Sequence, residues 1–422
     1  MTAKGKGSPE RGGTRFARLT AAEAVQRIAQ LPAIDQHCHS LLADWRSLGP
    51  GDPGWRRCFS EAQRPASLHA DVPASAGYRE FLRALTAFQG SPDEPAPARE
   101  AAVVARRAAA VGSSADEYLV RLFDDAGVAS LVVDTGYGGP QAVSVAAFAR
   151  AAGRPVHTIV RVESLAEELL AEAAGRGALS GPAFRDGLAE RMEAALAAGG
   201  VGFKTIAAYR VGLELPAPSR RALSGALRRI DLAKQARRLD DPILVAQVVW
   251  SAATLAAVHG VPLQFHTGFG DEDLHLPGAD PTLLRALLRD PAAEGCPVVL
   301  LHTYPFVAQA AYLASIYPQV HLDLSLAIPL LGAAAAERMI AEALALCPAT
   351  KLLAASDGHS YPEMHWRGMR LWREALAAVL AGEVSADRLD DSELEPLAAS
   401  ILAGNAARIY GLPREAPKPR RT

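Results

Sequence analysis

The stretch Asp35-Gln36-His37-Cys38-His39 sets two histidines two residues apart, directly after the short apolar run Leu31-Pro-Ala-Ile. On an extended strand, residues i and i+2 point to the same face, so His37 and His39 can aim two imidazoles at one point while Cys38 faces away. Two neutral imidazole nitrogens meeting at a point are half of a metal site. Such a pair also recurs by chance in a chain with 11 histidines, so its meaning depends on what else the sequence supplies. Lys204 lies within Gly-Phe-Lys-Thr-Ile, His266 follows Pro-Leu-Gln-Phe, His302 follows Val-Val-Leu-Leu, and Asp357 follows Leu-Leu-Ala-Ala-Ser. A lone histidine after an apolar run is more often a satisfied core or loop residue, and Asp before Gly358 is an ordinary turn signal. Lys204 differs, because an unpaired ammonium is costly to bury; it calls for a carboxylate partner, a chemical modification or a wet pocket. Five separate run ends that all carry ligand-type groups form a far more specific pattern than any one of them.

The elements that would position these groups are regular. Apolar runs bounded by turn residues occur at Ala33-Gln36, Ala129-Val133, Val156-Val162, Val201-Ala207, Val261-Phe265, Val298-Leu301, Val320-Leu326 and Lys351-Ala355. Helical stretches such as Gln141-Ala151, Phe184-Ala198 and Pro281-Leu288 separate them. Continuous apolar runs are expected of strands buried on both faces of a parallel sheet. Eight of them alternating with helices point to an α/β fold, a (β/α)8 TIM barrel, in which polar residues at the C-terminal strand ends carry the chemistry. No glycine-rich phosphate motif follows any strand, so a nucleotide-binding fold has no support. Residues 44–126 hold no strong strand and read as a helical insertion after the first strand, with helices near Tyr78 to Phe88 and Glu100 to Ala110. His69, Asp71 and Arg79 within it read as surface polar residues. Thr20-Ala-Ala-Glu23 is a capping box opening a helix to about Gln30. Residues 1–18 and 413–422 read as disordered tails, leaving 19–412 as the barrel with its insertion.

Half the residues are hydrophobic and the formal net charge is -2. That charge gives no footprint for nucleic acid or an acidic membrane surface, so the partner expected is a small-molecule substrate. The sequence shows no continuous apolar run of about 18 residues and no signal-peptide pattern near Met1. Cys38, Cys58, Cys296 and Cys347 are far apart and form no CxxC pair, against a disulfide framework or a thiolate zinc site. The compartment expected is the cytoplasm.

The set Asp35-x-His37-x-His39, Lys204, His266, His302 and Asp357 resembles the amidohydrolase superfamily of metal-dependent hydrolases. The phrases Phe203-Lys-Thr-Ile-Ala-Ala-Tyr-Arg-Val-Gly-Leu213, His302-Thr-Tyr-Pro305, Ser356-Asp-Gly-His359 with Pro362-Glu363, and Gly404-Asn-Ala-Ala-Arg-Ile-Tyr-Gly411 are similar to its amidohydrolase-related branch. That branch includes the amidohydrolase half of proteins fused to a glutamine-synthetase-like domain. The resemblance runs from about residue 30 to 412 and implies His37, His39, His266 and Asp357 as metal ligands. Three nitrogens and one oxygen suit zinc best, with manganese or iron as other divalent choices, one or two ions per chain. Asp357, His302 and Lys204 would be catalytic: Asp357 moving a proton, His302 polarising substrate or holding a second ion, Lys204 either unmodified or carboxylated to bridge two ions. A single metal is the simpler expectation. Arg210, Tyr209, Glu363 and Tyr137, with Arg161, are candidate substrate contacts, Arg210 as a bidentate clamp for a carboxylate. His359 and His365 lie close to Asp357 in sequence and read equally as surface-loop residues. The reaction implied is hydrolysis of a C–N bond in a small carboxylated amide. The alternatives are a metal-dependent, non-hydrolytic decarboxylase of an aromatic acid and a non-catalytic regulatory barrel. Barrels of this kind often pair through outer helices, which makes a homodimer the assembly to test.

Overall fold

Thr20 begins the described chain with the capping box the sequence implies: the Glu23 N–H donates to Thr20 Oγ1 at 3.2 Å and the Thr20 N–H to Glu23 Oε2 at 2.8 Å. The helix it opens, Ala21–Ala29, ends at Gln30 and delivers the chain into the first strand. The computed structural model describes residues 20–47, 53–62, 64–176 and 178–413. The segments read as tails, apart from Pro413, lie outside the described residues.

Seven parallel strands pair in sequence order: β1 Ala33–His39, β2 Val128–Asp134, β3 Val156–Arg161, β4 Gly200–Thr205, β5 Leu263–His266, β6 Val298–Leu301 and β7 Val320–Leu322. The eighth run departs from expectation. Ala349–Lys351 forms a 3-10 turn, and residues 352–356 are extended without a regular ladder. They still close the sheet. The Leu353 N–H donates to Leu322 O at 3.0 Å, the Gln36 N–H to Ala354 O at 3.3 Å, and the Asp357 N–H to His37 O at 3.0 Å. On its other side β1 pairs with β2 through a register shift between Asp35 and Cys38.

Alternation along the strands sorts side chains into two apolar layers. Ile34, Val132, Ile159, Val299, Leu301 and Leu353 fill the interior, and Ile409, Tyr410 and Leu412 plug it from the C-terminal helix Asn405–Ile409 and the residues after it. Leu131, Val133, Phe203, Leu263, Phe265, Val298 and Leu300 face the surrounding helices. Among those helices, Pro242–His259 is long and apolar enough to cross a membrane by length and composition. Its Gln247, Ser251 and Thr254 interrupt the apolar run in sequence. It packs on β4 and β5 with Val245, Val248 and Val249 fully buried.

The insertion is helical as expected, through Pro53–Arg57, Pro65–Ala70, Ala76–Phe88 and Arg99–Asp125, the last interrupted by a non-helical Ser114. His69, Asp71 and Arg79 are exposed. Two of the expected helices are shorter than their runs. A 3-10 turn at Gly139–Gln141 precedes Val145–Ala152, which Ser144 caps, and Pro281–Leu284 is a 3-10 turn ahead of the short helix Arg285–Leu288.

Candidate metal centre at the strand ends

β1 carries His37 and His39 to the C-terminal end of the barrel, and both imidazoles converge as their spacing demands. His37 Nε2 lies 3.1 Å and His39 Nε2 3.3 Å from Asp357 Oδ1. Cys38 points the other way, into the layer beneath the helices. Asp357 reaches this point from the loop after residues 352–356 with φ 51, and His302 leaves β6 with φ 68. Left-handed backbone is uncommon for residues other than glycine and concentrates at functional sites. So the Asp-Gly turn signal and the ligand-type position are the same residue: the turn is what aims the carboxylate.

One donor atom each from His37, His302 and Asp357 lies within 4.8 Å of the others, and all three residues are buried. This set differs from the one the resemblance implies: His302 belongs to it, while His39 and His266 both fall outside it. The His266 ring is 4.6 Å from that of His302 and 4.5 Å from that of Tyr209, and His266 Nε2 is buried without a hydrogen-bond partner. His39 is fixed from behind: its Nδ1 lies 3.0 Å from the Asp134 carbonyl oxygen. A carbonyl can only accept, so Nδ1 carries the proton and Nε2 presents a lone pair to Asp357 Oδ1. Burial, then the positive charge of Lys204, pulls His37 down to about 4, so His37 is neutral near pH 7. Burial likewise holds His266 and His302 well below the ordinary histidine range. Imidazole lone pairs facing a carboxylate oxygen repel one another unless a cation lies between them, and Asp357 Oδ1 has no hydrogen-bond donor. The residues present therefore fit a divalent ion held by nitrogen and oxygen donors.

Lys204 points at the same centre, its Nζ 3.4 Å from His37 Nε2. Among the described residues no carboxylate approaches it within ion-pair distance, so the first of its three expected ways out is absent. Burial pulls it down to about 8, against the opposing pull of Asp134 and Asp357. Asp134 is itself engaged by Arg161, at 2.5 and 3.2 Å, with Gly136 O taking a third bond from the guanidinium at 2.9 Å. Arg161 thus braces the strand end behind His39 and is not a pocket residue.

The substrate candidates divide. Tyr137, 44% exposed, stands over the mouth with its ring 5.0 Å from His39 and 5.2 Å from His359. Tyr209 lies against His266 and accepts from the Asp271 N–H at 3.4 Å. Arg210 pairs through one nitrogen with Glu167 at 3.1 Å, a residue of the neighbouring helix Val162–Arg176, while its buried Nε has no partner among the described residues. Glu363 is displaced from the expected role, locked at 2.5 Å to Arg107 with both side chains 1% exposed. That pair ties the insertion to helix Pro362–Ser385. His365 is fully buried below β1, its Nε2 2.9 Å from His39 O, so a surface-loop role is excluded. His359 is half-buried and hydrogen-bonded to Ser360 Oγ at 2.8 Å.

Sequence reasoning missed two groups. Glu61, half-buried on the loop after helix Pro53–Arg57, is pushed up to about 7 by burial, then by the charges of Asp357 and Asp271. Its only signal was membership of an insertion at the active end of strand one. Asp323 and Ser325 are fully buried behind His302. They alternate with Leu322, Leu324 and Leu326, a period-two pattern that marks one face of the chain.

Comparison with known proteins accords with this geometry. A family model described as amidohydrolase matches residues 138–412. Over 417 residues the chain is 28% identical to Protein fluG of Emericella nidulans, covering 92% of this chain and 46% of that protein. The chain thus spans about half the length of the curated relative it matches. A solved structure described as a candidate metal-dependent hydrolase from Lactobacillus casei ATCC 334 superposes with a TM-score of 0.79 at 29% identity, covering 92% of this chain and 97% of that one. A uronate isomerase from Thermotoga maritima shares the fold, with a TM-score of 0.65 at 13% identity over 92% and 97% of the two chains. On the family match, across a barrel with its ligand-type residues at the strand ends, this chain belongs to the amidohydrolase family.

Proposed function

We propose that the protein is a metal-dependent hydrolase that cleaves a C–N bond, an amide, in a small substrate. The observation that carries this reading is the buried meeting of His37, His302 and Asp357, with unpartnered His266 Nε2 and Asp357 Oδ1 facing the same place. His37, His39, His266 and Asp357 would hold the ion, with His302 alongside, and zinc suits such a nitrogen-rich set. When bound, the ion supplies Lewis acidity that polarises a carbonyl and makes water nucleophilic near neutrality. As water adds to the amide carbon, Asp357 takes its proton and returns it to the leaving nitrogen when the C–N bond breaks. His302, its Nδ1 turned to Ser325 Oγ, would offer its Nε2 lone pair to the same centre as His37 and Asp357. Tyr137 and Tyr209 flank the entrance and would contact the substrate. Arg210, which gives one nitrogen to Glu167 and keeps an unpartnered Nε, would meet a carboxylate on the substrate.

The test is elemental analysis of chelator-free protein, followed by a panel of small amides assayed with the metal removed and restored. Release of free amine that disappears and returns with the metal supports the reading. Carbon dioxide release from aromatic acids instead would identify a decarboxylase, and full activity without metal would refute both.

A further inference from the structure

Behind the candidate centre runs a buried chain of polar groups that no proposed step uses, and it begins at Asp323. Three N–H or O–H groups converge on Asp323 Oδ1: the His302 N–H at 2.7 Å, the Ser325 N–H at 3.0 Å and Ser325 Oγ at 2.7 Å. Its other oxygen accepts from Gln36 Nε2. Gln36, Gln264, Asp323 and Ser325 are fully buried, and Tyr410 is 5% exposed. In such a place each hydrogen must find an acceptor, so the direction of every bond can be worked out.

A carboxylate oxygen only accepts, so the Gln36 amide must turn its nitrogen to Asp323 and its Oε1 away. Tyr410 OH lies 2.6 Å from that Oε1 and must donate to it. With its only hydrogen spent, Tyr410 must accept from the group 2.7 Å away, which is Gln264 Nε2. The second hydrogen of that nitrogen goes to Gln36 O at 3.0 Å. Gln264 Oε1 is left facing His37 Nδ1 at 2.9 Å, so His37 Nδ1 must carry the proton. The other branch is shorter. Ser325 Oγ gives its hydrogen to Asp323, so at 2.8 Å it can only accept from His302 Nδ1. Both histidines end with hydrogen on Nδ1 and a lone pair on Nε2.

We propose that Asp323 is a positioning residue that fixes the tautomers of His37 and His302 together, through Gln36, Tyr410 and Gln264 on one branch and through Ser325 on the other. The inference builds on the reading of the site as a metal centre, because a lone pair on Nε2 is what an imidazole ligand requires. It gives a role to a carboxylate that touches neither substrate nor metal, and to a tyrosine at the opposite end of the barrel. The two branches meet only at Asp323, so they can be cut separately.

Two readouts test it, one made without metal. Long-range 15N–1H NMR of histidine-labelled, metal-free protein should show His37 and His302, assigned by single substitution, as Nδ1–H tautomers. Tyr410→Phe should disturb His37 and leave His302 alone, Ser325→Ala should do the reverse, and Asp323→Asn should disturb both. The second readout is titration with Co2+ followed by its visible absorption. Tyr410→Phe and Asp323→Asn should bind about 10- to 100-fold more weakly than the parent, with an altered spectrum, as expected when a partner behind a ligand is lost. An Nε2–H tautomer for either ring in the parent, or two single-branch variants that disturb both rings alike, would overturn the proposal. Failure of the parent to bind Co2+ while its tautomers are as stated would instead refute the metal reading and leave the tautomer assignment standing. If Asp323→Asn does not fold, the two single-branch variants still decide.

Discussion

Asp35 accepts two hydrogen bonds from Ser356, one from its N–H at 2.8 Å and one from Oγ at 2.5 Å. The carboxylate of β1 thereby grips the extended segment that leads to Asp357, and the seam of the barrel is tied next to the site. Ser356 Oγ also accepts from the Gly358 N–H at 2.7 Å, so one hydroxyl holds both sides of the Asp357 turn. Ser356→Ala should lower the free energy of unfolding by about 1–3 kcal/mol, the usual cost of leaving a buried acceptor short of a donor. Urea unfolding checks it; an unchanged midpoint would mean that the seam is held elsewhere.

The Arg107–Glu363 pair makes a sharper prediction. Both charges are buried, and Arg107 also donates to Trp45 O at 2.7 Å. Arg107→Met should destabilise the protein by about 3–5 kcal/mol, because it strands the Glu363 charge. Arg107→Met with Glu363→Leu should regain most of that loss. A double-mutant cycle in denaturant reads the difference, and additive losses would show that the two residues do not act as a pair.

Metal removal should cost stability as well as activity. A ligand that binds only the folded state at one hundred times its dissociation constant adds about 2.7 kcal/mol. Chelation should therefore lower the melting temperature, and zinc should restore it. His37→Ala and Asp357→Asn should bind less metal and show little response to chelator in the same thermal scan.

Stability should fall on acidification between about pH 6.5 and 4. Burial lowers His37, His321, His359 and His365 to about 4, while the unfolded chain protonates near 6.5. Each such group is depressed on folding, so its contribution is fully present above the unfolded value and is lost as pH drops toward the folded one. One pKa unit corresponds to about 1.4 kcal/mol. Asp35, Glu61 and Asp323, raised by burial to about 7, 7 and 6, act in the opposite sense over most or all of that range. The histidines outnumber them, so the net slope should be positive with pH; a flat or inverted profile of unfolding free energy would contradict the burial pattern.

Lys204 offers a direct chemical test. An amine lowered to about 8 is partly neutral at physiological pH, and a neutral amine adds carbon dioxide to form a carbamate with loss of a proton. A carbamate carbon signal from labelled bicarbonate that Lys204→Met abolishes, together with two ions per chain, would assign Lys204 as carboxylated and overturn the single-ion expectation. Absence of the signal, with one ion bound, would assign Lys204 as a free amine.

Much of the site was legible because strand period and strand ends are local properties. His37 and His39 converge as their two-residue spacing requires, and His302 and Asp357 sit at the ends of their apolar runs. What local pattern could not reveal was which charges are already taken. Arg210 finds Glu167 and Arg107 finds Glu363 only after the chain has folded, across 43 and 256 positions. The eighth run misled because its apolar residues do meet β7 and β1, but through isolated bonds rather than a regular ladder. Asp323 and Ser325 were visible as an alternation with leucines, but the run Val320-Leu326 read as one apolar strand. Tyr410 stood inside a recognised phrase, and nothing nearby in sequence hinted that it reaches Gln264.

The seam also has a consequence for the protein as it is made. β1 leaves the ribosome early, yet the bonds that cover its free edge come from residues 352–357, more than three hundred positions later. Until then a nascent chain carries β1 as an open sheet edge, the kind of surface that recruits other strands and aggregates.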